Sequence, residues 1–209
     1  MVHHPVFARL YARMASSMEA NGGADHRKRL LAGLTGRVIE VGAGTGANFA
    51  HYPATVTEVL AVEPETYLRT RAAEAAAGAA VAVSVVDGVA DRLPAVDRSF
   101  DAAVVSLVLC SLPDVGSALA EIRRVLRPGG RLHFWEHVQA DGRGPARVQR
   151  LLDRTVWPAV AGGCHTGRDT LAAIEAAGFT VERVARFRWP ETQVPQPTSP
   201  QILGVAVRP

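Results

Sequence analysis

The sequence predicts a single α/β domain with a mostly parallel sheet and helices on both faces. Three observations predict it. Short β-branched apolar runs alternate with helical patterns at the pitch of βα units. One run passes straight into a glycine-rich turn, "VIEVGAGTGAN" at 38–48. The last third then breaks the alternation, with two strand-like runs joined by "WPETQVPQPTSP". The chain's 209 residues, 48% of them hydrophobic, suffice for one sizeable core.

Taken in order, Phe7, Leu10, Tyr11, Met14 and Met18 fall at helical spacing, with Arg9 and Arg13 between them, in a helix over 6–20 that "NGG" ends. Such a helix either packs on its own domain or lies weakly on a membrane surface. A second helix is expected from Ala24 to about Gly33. Strands follow at Arg37–Val41 and Val56–Val62, an Ala-rich helix at Glu65–Ala77, and strands at Ala80–Val86 and Phe100–Leu107. A helix over Val115–Leu126 closes at "RPGG", and Arg131–His137 is the fifth strand. Helices are expected over Pro145–Trp157 and Arg168–Ala177. Phe179–Phe187 and Gln201–Arg208 form an antiparallel hairpin at the sheet edge, because the linker holds too many prolines for a crossover helix.

Composition excludes several classes of function. A formal charge of +3 gives no sign of a nucleic-acid partner. No apolar run nears the roughly 20 residues of a membrane span, and the start carries no signal-peptide core. Cys110 and Cys164 match no zinc spacing, so no metal is expected and the chain reads as reduced and cytoplasmic. His3 and His4 belong to a terminus rather than to a metal site.

"GAGTGA" satisfies the dinucleotide fingerprint G-x-G-x-x-A and also G-x-G-x-G, so the turn itself leaves two cofactors open. Its surroundings separate them. Glu40 stands two residues before Gly42, where a carboxylate suits a cationic amino group and opposes a pyrophosphate. Glu63 closes the next strand where a ribose-binding acid belongs. None of Tyr11, Tyr52 and Tyr67 has a lysine four residues on, as a short-chain dehydrogenase would require. Glu63 fits either cofactor, while Glu40, the missing Tyr–Lys pair and the antiparallel terminal hairpin favour S-adenosylmethionine over NAD(P).

The combination of "VIEVGAGTG", "AVEPE", "GVADRLP", "SFDAAVVSLVLCSLPD", "EIRRVLRPGGRLHFWEH" and "ILGVAV" resembles a class I S-adenosylmethionine-dependent methyltransferase from about Leu30 to the C-terminus. The resemblance implies a Rossmann-like fold with seven strands, the last antiparallel, over 36–209. It also implies N-terminal helices over 1–35 that cover the cofactor site. "EVGAGTGANFAHYP", "SLVLCSLPD", "LRPGGRLHFWEHV" and "GGCHTGRDT" are similar to the alkyl-thiol methyltransferase group and its bacterial relatives, whose membrane-bound members carry a hydrophobic anchor not found in these residues. Carried over, Glu40, Gly42, Ala43, Gly44, Thr45, Gly46 and Asn48 bind the cofactor's methionine and ribose end, with Asn48 opening the next helix. Glu63 and Pro64 take the ribose. Val89 and Ala90 border the adenine, with Asp91 near Val89 where relatives carry Asp. Ser106 and Leu107 flank the methionine.

Methyl transfer needs alignment, a dry site and a route for the acceptor's proton. His137 in "WEH" is the candidate base, the alternative being a histidine that only lines the pocket. Glu136, on the opposite face, orients a neighbour or pairs with an arginine. Cys110, Trp157, Cys164 and Arg168 are candidate substrate contacts, Cys110 being otherwise a small buried hydrophobe. Trp157, Trp189 and the Pro190–Pro200 loop form either a lid or ordinary edge packing. The expected function is methylation of a small molecule, a thiol first, with S-adenosylhomocysteine as co-product. O-, N- or C-methylation and an NAD(P)-dependent oxidoreductase are the alternatives. No oligomeric state follows.

Overall fold

In the computed structural model, residues 5–155, 157–190 and 196–209 are described. His3, His4, residues 191–195 of the proline-rich loop and the side chain of Phe7 lie outside them. The described residues form a seven-stranded sheet in the order β3-β2-β1-β4-β5-β7-β6. Its strands are β1 (Gly36–Val41), β2 (Val56–Val62), β3 (Ala82–Val86), β4 (Phe100–Ser106), β5 (Leu126–His137), β6 (Thr180–Arg188) and β7 (Pro200–Val207). β7 pairs antiparallel with both β5 and β6, and the other pairs are parallel. The expected edge hairpin is therefore present, with its second strand inserted between the first and the sheet.

The central strands are rich in apolar residues because both sheet faces are covered. Ile39, Val41, Ala103, Val105, Leu132 and Phe134 point to one face. There they meet Leu119, Ile122 and Val125 of α4 (Val115–Val125) and Ile174 of α7 (Thr170–Ala176). Val38, Ala102, Val104 and Trp135 point to the other face, against Leu30 and Leu31 of α2 (Ala24–Leu31) and Ala72 of α3 (Thr66–Ala76). His133 Nδ1–H donates to the Leu30 carbonyl (2.6 Å) and ties α2 to β5. Burial holds this imidazole neutral. Asp114, Glu65 and Asp169 cap α4, α3 and α7 by accepting a backbone N–H three residues on.

Several expected boundaries shift. α1 spans Pro5–Met18, and the second helix stops at Leu31 because Ala32 is extended. β5 starts at Leu126, which pairs with Phe100 before the register slips around "RPGG" and resumes at Ala102 opposite Arg131. The helix expected over Pro145–Trp157 is instead α5 (Arg143–Asp153), and Trp157 begins a separate short helix, α6 (Trp157–Val160). The reason lies at Asp153, whose carboxylate accepts the N–H groups of Thr166 (2.7 Å) and Gly167 (2.9 Å) and clamps the end of α5 to that later loop.

Gly204 in the middle of β7 shows how closely the sheet is packed. A Cβ there would lie 2.5 Å from both Phe134 Cζ and the Arg183 carbonyl. Gly204→Ala is expected to lower stability by about 1–3 kcal/mol in urea denaturation, and an unchanged midpoint would contradict this packing.

Candidate functional site

The sheet order reverses between β1 and β4, the crevice where open α/β sheets bind ligands. The glycine turn fills the β1 side. Gly42 adopts φ +72, and a Cβ there would lie 2.6 Å from Val108, so only glycine lets the loop after β4 close on the turn. Gly42 and Ala43 donate to the Val62 carbonyl (2.8 and 3.1 Å). Gly44 N–H donates to Glu63 Oε2 (2.8 Å), while Glu63 Oε1 receives Glu65 N–H (3.0 Å). Burial raises the Glu63 pKa, and these two donors oppose it. The Tyr11 ring of α1 lies over Gly44, 3.3 Å from where its Cβ would be. Thr45 is half-buried beside it, and Gly46 N–H returns to the Ala43 carbonyl (2.9 Å).

Two expectations change here. Asn48 opens no α-helix, because the turn is followed only by a single helical turn at Phe49–His51. Nor does Glu40 present a free carboxylate. It is buried, with Oε1 accepting from Asn48 Nδ2 (2.8 Å) and Oε2 from Tyr52 OH (2.6 Å). These two bonds draw residues 48–52 down over β1, which is why no helix forms. Asn48 Oδ1 in turn accepts from Arg27 Nη1 (2.8 Å), which also reaches Ser106 Oγ (3.3 Å), while Arg27 Nε donates to Glu19 (2.7 Å). The sequence reading missed this buried guanidinium from α2, because "DHRKRLL" resembles a solvated charged face.

Beyond β2, a pocket of about 470 Å3 is lined by Pro64, Asp87, Gly88, Val89, Arg92, Leu93 and Pro94. Val89 thus faces the space expected for adenine. Ala90 packs on the core, and Asp91 is exposed rather than among the lining residues.

The ends of β4 and β5 form the other half of the site. Leu107 takes φ +60, an uncommon conformation for a branched side chain, and donates its N–H to the Trp135 carbonyl (2.6 Å). Glu136 is fully buried and accepts the backbone N–H groups of Val108 (2.9 Å), Leu109 (2.9 Å) and Cys110 (3.2 Å). It orients a neighbouring loop, the first of its two expected roles.

That loop brings Cys110 to His137 and Cys164. The two sulfurs and an imidazole nitrogen lie within 4.8 Å of one another, with Cys164 Sγ 3.6 Å from His137 Nδ1. Spacing in the chain concealed this cluster, and Cys164 faces His137 and Cys110 rather than its neighbour His165. Hydrogen bonding from Cys110, then from His137, holds the Cys164 thiol well below the usual range. The same bond to Cys164, with burial, pushes Cys110 up. The Trp157 indole N–H, buried without another partner, lies near enough to the Cys164 sulfur to favour the thiolate.

Arg168 braces this site, donating to the Leu109 carbonyl (3.0 Å) and lying 3.2 Å from His165 Nδ1. Trp189 packs in the core against Trp135 and His26, with its N–H on the Asn21 carbonyl (2.9 Å). Trp157 and Trp189 thus have different surroundings, and the lid expected of them with the Pro190–Pro200 loop rests on residues 191–195, outside the described ones.

Comparison with known proteins agrees with this geometry. Residues 39–134 match the family model described as a methyltransferase domain. The thiol S-methyltransferase TMT1B of Mus musculus is 38% identical over 188 residues, 85% of this chain and 74% of that protein. The thiol S-methyltransferase TMT1A of Homo sapiens is 34% identical over 85% of this chain and 74% of its own length. This chain belongs to their methyltransferase family. The S-adenosylmethionine-dependent methyltransferase structure from Mesorhizobium loti superposes with TM-score 0.63 at 22% identity, covering 90% of this chain and 98% of that one, and shows the same fold.

The methyltransferase's cofactor is S-adenosylmethionine. The residues fit it. The Glu63 carboxylate stands just past the end of β2 beside the glycine turn, and the methyltransferase relatives set the NAD(P) reading aside. No helix among the described residues is long and apolar enough to cross a membrane.

The Glu40 carboxyl is pushed up to about 7 by burial, against the opposing bonds from Tyr52 and Asn48. A raised folded-state pKa favours the protonated native state. The stabilisation is complete below about pH 4.5 and is lost as pH rises through 7. Relative to Glu40→Gln, the wild type is expected to lose up to about 3 kcal/mol over that window in urea titrations at successive pH values. A difference independent of pH would rule out a buried, proton-holding Glu40.

Proposed function

We propose that this methyltransferase transfers the S-adenosylmethionine methyl group to the sulfur of a small thiol. The observation that carries the reading is the thiol S-methyltransferase relatives aligned over 85% of the chain. The Cys110–His137–Cys164 cluster beside the crevice supports it.

The cofactor supplies a methyl on a sulfonium, already activated for displacement. The protein's share is to bind, align and dry the reactants. The Gly42–Gly46 turn and Asn48, steadied by Glu40, bind the methionine end. Arg27 and the Ser106–Leu107 strand end are disposed on its other side. Glu63, beside Pro64, receives the ribose hydroxyls, and Val89 and Ala90 border the adenine. The helices within 1–35 cover the site through Tyr11. The acceptor approaches from the Cys110, Trp157 and Cys164 side. A free thiol has a pKa near 8.5 and is mostly protonated at neutrality, so its S–H proton must leave as the new S–CH3 bond forms. The His137–Cys164 pair is the group placed to receive that proton. The electron pair of the broken sulfonium S–C bond stays on the cofactor's sulfur. Two free cysteines suit a reducing, cytoplasmic compartment.

A panel of thiols, phenols, amines and quinols, assayed with S-adenosylmethionine, tests the acceptor. Thioether products are expected, and turnover confined to the oxygen, nitrogen or carbon acceptors would sink the thiol reading. Glu63→Gln is expected to weaken S-adenosylhomocysteine binding about 10-fold or more by calorimetry, since it removes a charged partner. His137→Ala is expected to cost about 100-fold in turnover with cofactor affinity little changed, and full activity would remove His137 from the chemistry.

A further inference from the structure

We propose that Cys110, His137 and Cys164 form a zinc site whose fourth position takes the acceptor thiol. The proposal rests on the thiol reading above for its acceptor and on the geometry of the cluster for its metal. Two sulfurs and one imidazole nitrogen make the soft donor set that zinc prefers. In a tetrahedral site, Zn–S near 2.3 Å and Zn–N near 2.0–2.1 Å place sulfur and nitrogen about 3.6 Å apart and two sulfurs about 3.8 Å apart. Cys164 Sγ and His137 Nδ1 are 3.6 Å apart, and all three atoms lie within 4.8 Å. Closing them on an ion therefore needs a movement of no more than about 1 Å.

The surroundings hold these ligands from three separate elements. Glu136 fixes the Cys110 backbone through three accepted N–H groups. His165 N–H donates to the Cys110 carbonyl (2.8 Å) and Arg168 to the Leu109 carbonyl, so the two cysteine loops are tied to each other. The Trp157 N–H, otherwise unpartnered, stands beside the Cys164 sulfur, as donors around a metal thiolate do. Three protein ligands leave one position for water or substrate, the arrangement of catalytic rather than structural zinc. His137 is half-buried while both cysteines are buried, so the approach to the ion lies on the histidine side.

The chemistry balances without a redox partner. With zinc bound, His137 and Cys164 are ligands and no longer the proton acceptor: the acceptor thiol displaces a zinc-bound water and releases its S–H proton to solvent, becoming a zinc thiolate at neutral pH. The thiolate's lone pair forms the S–CH3 bond, the sulfonium S–C bond breaks toward the cofactor's sulfur, and the neutral thioether gives its place back to water.

The test uses the full chain in a His3→Ala, His4→Ala background without an affinity tag, so that the N-terminal histidines contribute no metal. Elemental analysis is expected to give about one zinc per chain. Replacement by Co2+ is expected to give a thiolate-to-cobalt charge-transfer band, and Cys164→Ser to weaken zinc binding by more than about 100-fold. Stripping with a chelator is expected to lower thiol methylation by about 100-fold, with S-adenosylhomocysteine binding retained and activity restored by Zn2+ alone. A metal-free protein with two titratable thiols that takes up neither Zn2+ nor Co2+ overturns the site. So does one whose thiols appear only after reduction, which would mark a disulfide instead. Stripped enzyme that retains full thiol turnover overturns the metal's role and leaves the thiol reading standing. Zinc and cofactor bound with no thiol methylated overturns the acceptor role and the thiol reading together.

Discussion

The Glu136 carboxylate is the contact on which the reactive half of this protein depends. It is buried at the end of β5 and accepts three successive backbone N–H groups from the loop after β4. Those groups would otherwise be buried donors without partners, each costly to leave unpaired. Meeting all three with one carboxylate forces the chain to reverse sharply after Ser106, which is why Leu107 adopts a positive φ. The same reversal turns Val108 onto Gly42 and Cys110 toward Cys164 and His137. One side chain thus sets the floor of the cofactor turn and the position of a sulfur in the acceptor half.

The cofactor half rests on a second buried acid. Glu40 holds Asn48 and Tyr52, and Asn48 relays to Arg27 and through it to Glu19 and Ser106. This chain of polar groups runs beneath the glycine turn from α2 to β4. Its members satisfy one another, so the turn is stiff where it meets a ligand. A buried carboxylate is costly in such a place, and Glu40 answers by holding a proton more tightly than usual.

Much of this was legible in the sequence, for physical reasons. The central strands β1 and β4 declared themselves because they are buried on both faces, so apolar runs mark them directly, while the largely exposed edge strands β3 and β6 were placed by the alternation of strand and helix patterns and by the proline-rich linker. The cofactor turn was legible because its residues are contiguous and Glu40 and Glu63 stand at fixed offsets from it. What stayed hidden depended on contacts between distant residues. α5 ends at Asp153 because of a loop more than ten residues later. Arg27 looked solvated because its partners are Asn48, Ser106 and Glu19. Cys110, His137 and Cys164 lie on three separate elements, so no local spacing could announce them. Arg168 braces the loop after β4, and Trp189 takes the packing role that was one of its two expected readings.

The division between halves follows the sheet. The groups proposed to bind the donor come from β1, β2 and the loop after β3, while the Cys110–His137–Cys164 cluster comes from the ends of β4 and β5 and the loop before α7. β4 lies between β1 and β5, with neighbouring strands about 4.8 Å apart, so the two halves meet across a single strand. In-line displacement needs its three reacting atoms held in one line, and errors of about 1 Å are costly in rate. A rigid strand end meets that demand better than a loop tied at one end. The loop after β4 is tied at both, to Glu136 below and to Arg168 and His165 above. Differences in acceptor among proteins of this fold can then arise in the segment between α5 and α7, with the donor side unchanged. Here that segment contributes Trp157 and Cys164, which places a sulfur beside His137 on a scaffold that by itself sets no particular acceptor.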